Sequence, residues 1–422
     1  MNDSQALTYT HSLKRLGKTP GLVCLQAVLE RLGNPQDTLR VLHVAGTNGK
    51  GSVCALTASV LQAAGYKTGL FTSPFLVSFY ERMQINGQNI SPDCYARLAT
   101  KVQEASFAVG EELSQFAFIT AVAFCYFAQE ECDVVVLETG LGGRLDATNV
   151  VKAPLATAIT AIGLDHTDLL GDTLEQIAAE KCGIIKEGAP VVLSSCQAPE
   201  VIGVVMEHAA RKGVSVILPN PNAVTPFDMT PHATRFAYGG EEYALSLHGA
   251  YQWQNAVTAL DLLRSAKGLT VSQDAIRQGF LSAVHPARCQ VLRKDPLILL
   301  DGAHNPQGAQ ALSQTLTAFL EEQKVIGVCG VMSDKAATDL AAAMGNHCSH
   351  LIGVTPNSPR SLPAQELADI FAPYCTTEIR QVDGALLQTI QSQNQPVVIF
   401  GSLYLAGEIL GLWEEQNPPC GL

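Results

Sequence analysis

The chain is poor in positive charge: 27 Lys and Arg face 39 Asp and Glu, a formal net charge of −12 over 422 residues. Sequence-independent nucleic-acid binding needs a basic footprint to displace counterions, so this balance argues against a nucleic-acid partner. Long apolar runs are missing as well. No stretch approaches the roughly 20 apolar residues of a membrane span, and Met1-Asn2-Asp3-Ser4 does not begin a basic region followed by an apolar run. A cytoplasmic protein without a membrane partner is therefore expected. Disulfide spacing is the third absence: the 12 cysteines are scattered, none stands in a C-x-x-C pair, and Cys54, Cys125 and Cys329 lie inside apolar helix or strand patterns. They read as buried free thiols. Internal repeats and low-complexity tracts are lacking too.

What is present is too long for one ordinary core, so two domains are expected. Hydrophobic content of 47% with 16% charged residues and 35 Gly fits a compact α/β protein. Short apolar runs rich in β-branched residues recur at Arg40–Ala45, Lys67–Thr72, Asp133–Glu138, Leu155–Ile162, Pro190–Ser194 and Val214–Leu218. They alternate with helical patterns at Lys50–Ala64, Leu174–Lys186 and Glu200–Lys212, the signature of a parallel sheet covered on both faces. From Pro221 to Gly249 the pattern changes to a Pro-rich loop and a polar hairpin around Tyr238-Gly239-Gly240-Glu241. Helical periodicity returns at Tyr251–Ser265 and Ser272–Val284. A second alternation follows, with strands at Leu297–Leu300, Lys324–Gly330, His350–Val354, Glu378–Val382 and Val397–Phe400. The boundary is placed near Lys294-Asp295-Pro296, giving domains 1–294 and 295–422.

The run Val41–Ala45 reads as a strand, Gly46-Thr47-Asn48-Gly49-Lys50-Gly51 as a tight turn, and Ser52 onward as an apolar helix. Glycines let backbone N–H groups converge on phosphate oxygens, a helix N-terminus adds a positive dipole end, and Lys50 supplies a mobile charge. The loop departs from the strict G-x-x-x-x-G-K-[ST] pattern, because Val44 opens it and Gly51 follows the lysine. Taken alone it specifies a bound nucleotide and leaves kinase, GTPase, ligase and non-catalytic ATP-binding module open. Two further strand ends carry candidate ligands. Glu138 closes one strand, and Gly163-Leu164-Asp165-His166 follows another; ligands collect at such carboxyl ends in parallel sheets, so Glu138 is placed to hold Mg2+ and His166 to ligate metal or phosphate. Lys181, on a helix, is by default a solvated surface cation.

The motifs GTNGKGS (46–52), TSPF (72–75), ETGLGGRLDATN (138–149), LDH (164–166), EKCGIIK (180–186), HPAR (285–288), DGAHNP (301–306) and GSLYL (401–405) run in order over nearly the whole chain. Together they resemble the folylpolyglutamate synthase and dihydrofolate synthase family of the Mur ligase superfamily. The resemblance implies a large N-terminal P-loop ATPase domain with a mostly parallel sheet and a smaller C-terminal Rossmann-like α/β domain, with ATP and substrates in the cleft between them. It implies that ATP phosphorylates a folate carboxylate and that the amine of L-glutamate attacks the acyl phosphate. Tetrahydrofolate is the leading acceptor and dihydropteroate a second one; the same chemistry on a different carboxylate is the alternative. The cofactors implied are ATP and two Mg2+ ions, with K+ as a further candidate, and a monomer is preferred.

Residue by residue, the resemblance puts Gly46, Thr47, Asn48, Gly49, Lys50, Gly51 and Ser52 on the phosphates. It puts Asn255 near the adenine, Arg288 and His304 near the phosphates, and Asp301 on the ribose. Ser73 and Glu138 are implied for one Mg2+, His166 for another, and Lys181 as a lysine carboxylated by CO2. Phe116, Phe118, Leu145, Asp146 and Ala147 are implied on the substrate side. Here the chain departs from its relatives' pattern at Gly21-Leu22-Val23-Cys24, at Ala117 within Phe116–Thr120, and at Asp334-Lys335-Ala336. None of these departures touches the ATP and metal set.

Overall fold

A computed structural model describes residues 1–14, 22–333 and 336–417, so Gly21 and the pair Asp334 and Lys335 lie outside the described residues. Contacts group the chain into two compact units. One comprises Met1–Phe75, Phe79–Ala223 and Gln254–Ala283; the other comprises Leu76–Ser78, Val224–Trp253 and Val284–Leu422. The polypeptide thus passes between them several times, and the hairpin region and the segment from Val284 group with the C-terminal residues.

The first unit is built on eight strands: β1 (Val41–Ala45), β2 (Thr68–Phe71), β3 (Met83–Ile85), β4 (Gln88–Asn89), β5 (Val134–Glu138), β6 (Ala156–Ile159), β7 (Val191–Leu193) and β8 (Val216–Ile217). Their order is β4-β3-β2-β5-β1-β6-β7-β8. From β2 to β8 the pairing is parallel, while β3 and β4 add an antiparallel edge that apolar runs did not reveal. Every residue of β1 and β5 is buried, as expected for central strands covered on both faces. One covering helix, Gln115–Gln129, is capped by Ser114, whose side chain accepts from the Ala117 amide. It buries every residue from Phe118 to Phe127, because apolar side chains surround it. Burying Phe124 and Phe127 contributes about 1.5–3 kcal/mol each, so Phe124→Ala would loosen this layer.

The second unit holds an antiparallel sheet of β9 (Val224–Met229), β10 (Thr234–Tyr238) and β11 (Glu241–Leu245), whose turn is the expected Gly239-Gly240 with both residues at positive φ. It also holds a six-stranded sheet of β12 (Gln290–Lys294), β13 (Leu297–Leu300), β14 (Val325–Cys329), β15 (Cys348–Val354), β16 (Thr376–Arg380) and β17 (Val397–Phe400), in the order β12-β13-β17-β14-β15-β16. All its pairings are parallel except β12 with β13. β16 begins two residues before the expected Glu378, since its register runs from His350↔Thr376 to Val354↔Arg380 and partner length sets the strand. Among the described residues, no helix is long and apolar enough to cross a membrane, and the described cysteines are free thiols.

Candidate active site

β1 lies between β5 and β6, so the loops leaving three neighbouring strands meet at one sheet edge. The phosphate loop leaves β1. Gly46 has φ 156° and Gly49 φ 88°, and a Cβ on Gly49 would collide with Oδ1 of Asn255, so side-chain amide and loop backbone approach as only glycine permits. Asn255 therefore lies over the phosphate loop itself. The loop is sewn to the exit of β6: the Thr47 and Asn48 amides both donate to the Ala161 carbonyl, at 2.9 and 3.1 Å. Thr47 Oγ1 donates to the Gly163 carbonyl at 3.0 Å, and Thr160 Oγ1 donates to the Asn48 carbonyl at 2.7 Å. Lys50, first residue of the helix Lys50–Ala63, folds its Nζ back to donate to the Gly46 and Thr47 carbonyls, each at 3.1 Å. Gly51 and Ser52 are buried in the first turn.

Glu138 ends β5. Glu138 is no solvated strand-end carboxylate: it is 4% exposed and its Oε2 accepts the Ser73 amide at 3.0 Å. After it, Asp146 organises the loop at 140–149. One carboxylate oxygen accepts the Gly140 and Leu141 amides at 2.9 Å, and the other accepts the Thr148 amide at 3.0 Å and its hydroxyl at 2.5 Å. Because the Thr148 hydroxyl is spent on Asp146, it accepts from His43 Nε2 at 2.8 Å, which fixes the imidazole tautomer. Burial pushes His43 down to about 3, so the ring stays neutral. Thr148 stands within the 138–149 motif, whereas His43 lies outside the motifs, since a histidine inside an apolar strand looks like core.

Lys181 overturns its default reading as a surface cation. It ends the helix Leu174–Lys181 and is 3% exposed. The expected helix to Lys186 stops here and gives way to a 3-10 turn at Cys182–Ile184, where Gly183 meets the Arg144 backbone so closely that any Cβ would clash. The Arg144 amide donates to the Glu180 carbonyl at 2.8 Å, and Asn149 Nδ2 donates to the Arg144 and Gly183 carbonyls at 3.0 and 3.1 Å. This packing draws Lys181 inward. Burial and the neighbouring positive charge of Lys50 push its amine down to about 7, against the opposing pull of Asp165, Asp146 and Glu180. His166, at φ 52°, follows Asp165 and is about half exposed, with Nε2 3.9 Å from the Asp165 carboxylate.

Among the described residues no three His, Cys, Asp or Glu side chains cluster to hold a metal. An ion at Glu138 would find hydroxyl, phosphate and water oxygens available to its shell, a hard-oxygen set that suits Mg2+. Nothing in this donor set calls for K+. On the substrate side the expected residues separate. Phe116 lies with its ring over Gly140 and 5.8 Å from the Phe71 ring, and Leu145 is 48% exposed. Phe118 is buried against Tyr9 in the core, Ala147 is buried, and Asp146 is occupied within its own loop, so these three shape the loop from beneath. Of the departures, Val23 is exposed and Ala117 half-buried.

In the second unit Asp301 follows β13 and is 4% exposed. Its carboxylate accepts the Ala303 and Cys289 amides, each at 2.7 Å, and the Tyr251 hydroxyl at 3.2 Å. It thereby holds a turn in which Ala287 and Cys289 both have positive φ and which carries Arg288 against Gly302. Tyr251, whose hydroxyl burial and Asp301 push well up, is a further residue the motifs did not expose. His304 Nδ1 lies 2.9 Å from the Gly302 carbonyl, and Asn305 caps the helix Pro306–Leu320.

Comparison with known proteins bears on the family. Residues 44–263 match the Mur ligase middle domain, and residues 287–403 match the Mur ligase, glutamate ligase domain. The chain is 34% identical over 420 residues to the dihydrofolate synthase/folylpolyglutamate synthase of Bacillus subtilis, covering 96% of this chain and 97% of that protein. Among solved structures it is similar to folylpolyglutamate synthase of Thermotoga maritima, with TM-score 0.87, 32% identity, and 98% and 97% of the two chains covered. It is also similar to Escherichia coli FolC solved with DHPP and ADP, with TM-score 0.88, 30% identity, and 99% of each chain covered.

Proposed function

The chain belongs to the folylpolyglutamate and dihydrofolate synthase family of Mur ligases, and on that premise we propose that it joins L-glutamate to tetrahydrofolate at the expense of ATP, with dihydropteroate as a second acceptor. The observation that carries this reading is the convergence, at one sheet edge, of the phosphate loop, the buried Glu138 carboxylate and the buried Lys181 amine. ATP transfers its terminal phosphoryl group to the folate carboxylate; the glutamate amine then attacks the acyl phosphate, forming the amide and releasing ADP and phosphate. Phosphoryl transfer is chiefly positioning and charge neutralisation, which the loop amides and Lys50 provide. When bound, Mg2+ supplies further neutralisation of phosphate charge, with Ser73 and Glu138 as the proposed holders of one ion, His166 of a second, and carboxylated Lys181 as an anionic ligand.

A lysine is carboxylated as the neutral amine, which adds to CO2 and releases a proton. The pressure that brings Lys181 to about 7 makes that form available near neutrality. The candidate nucleotide contacts of the second unit are Arg288, Asp301 and His304; monomeric action in the cytoplasm belongs to the same proposal. The test is an acceptor panel: protein with ATP, Mg2+ and glutamate plus tetrahydrofolate, dihydropteroate or unrelated carboxylates, with and without K+. Acceptor-dependent phosphate release and a mass gain of one glutamyl unit are expected with the folate acceptors. No product with either of them overturns the reading.

A further inference from the structure

We infer that Gln197, on the loop leaving β7, is a positioning residue for the phosphate loop. The β7 strand ends at Leu193, and the Ser194 amide continues its pairing by donating to the Ile159 carbonyl at 2.9 Å. Two residues on, Cys196 turns the chain at φ 63°, exposing its own side chain and aiming the next one back over the sheet edge. Gln197 then does with its side chain what a further strand residue would do with its backbone. Nε2 donates to the Thr160 carbonyl at 3.1 Å, and Oε1 accepts the Ile162 amide at 3.2 Å. These groups flank Ala161, whose carbonyl receives the amides of Thr47 and Asn48. Thr160 also donates its hydroxyl to the Asn48 carbonyl. Gln197 thus grips the β6 exit on both sides of the point where the phosphate loop is attached.

A primary amide serves a carbonyl and an N–H together, with one donor nitrogen and one acceptor oxygen. The substitution Gln197→Glu would remove the donor, and Gln197→Met, of similar length, would offer neither bond. The β6 exit leads on through Gly163 to Asp165 and His166. Slack at Thr160–Ile162 therefore displaces the loop that meets phosphate before it disturbs anything remote. Gln197 acts through Ala161 and not by touching nucleotide or substrate.

This inference rests on the reading of Gly46–Ser52 as the ATP phosphate site. ADP binding by calorimetry, with KM values for ATP and glutamate, is measured for the parent protein, Gln197→Met, Gln197→Ala and Thr160→Val. Both Gln197 variants are expected to weaken ADP binding and raise the KM for ATP about tenfold, the scale of one or two lost hydrogen bonds. The KM for glutamate should stay within about twofold and Tm within about 3 °C. Combining Gln197→Met with Thr160→Val should cost less than the product of the two single effects, because both act on one attachment. ADP affinity equal to the parent in Gln197→Met overturns the inference, as does a uniform rise in both KM values accompanied by a large fall in Tm. A parent protein that does not bind ADP overturns the nucleotide reading itself, together with the inference that rests on it.

Discussion

The phosphate loop of the first unit and the Asp301 turn of the second are both strand-end motifs rich in glycine and polar residues, yet they use their charges differently. Around the phosphate loop, Lys50 donates to two backbone carbonyls, and burial, with Lys50 nearby, pushes the Lys181 amine down to about 7. At the Asp301 turn the carboxylate accepts two amides and a hydroxyl from its own unit. One region leaves its cations on backbone carbonyls or desolvated, and the other spends charge on its own geometry. A motif residue can therefore be indispensable for opposite reasons, and substitution should separate them: activity without stability in the first region, stability with activity in the second.

Lys50→Ala is the sharpest break. Removing the mobile cation should lower turnover about a thousandfold or more, while Tm moves little, since among the described residues Lys50 bonds two carbonyls; phosphate release and a melting curve check both. A large fall in Tm would erase the contrast. Lys181→Ala should lose most turnover and recover part of it with acetate, which replaces the missing anion. In the parent, activity should rise with pH through about 7, because the depressed lysine is neutral above that value and protonated, hence unreactive toward CO2, below it. Turnover in Lys181→Ala equal to the parent removes the carboxylated lysine. Asp301→Ala should behave in the opposite manner, losing about 2–4 kcal/mol of stability through three unmade bonds to a buried carboxylate; denaturant unfolding measures it. The smallest effect is expected for Thr148→Val, which cuts the link between His43 and Asp146. A loss of about 1–2 kcal/mol and a rise in KM for the folate acceptor, with the KM for ATP unchanged, would assign this chain of bonds to the 140–149 loop.

Much of the site was legible from spacing. The glycine turn between a buried strand and an apolar helix marked Gly46–Ser52 as the candidate phosphate loop, and Glu138 stood out as a carboxylate closing a buried parallel strand. Phe116 and Phe118 could not be told apart: two residues apart on one helix, they point to different sides, and only packing puts Phe118 against Tyr9 in the core while Phe116 covers Gly140. Gln197, Tyr251 and His43 carry no motif. Their roles come from partners 37, 50 and 105 residues away in sequence, distances at which local pattern has no reach.

The sequence by itself determined the alternation of strands and helices, the order of the motifs and the kind of chemistry they permit, because propensity, apolar period and glycine placement act over a few residues. Tertiary structure alone decided the state of each charged group. Whether Lys181 is a solvated cation or a buried amine near neutrality, and whether Asp301 awaits a ligand or braces a turn, depends on desolvation and on neighbours brought from distant strands. Those are properties of the space around a residue, which the residue's own position in the chain does not specify.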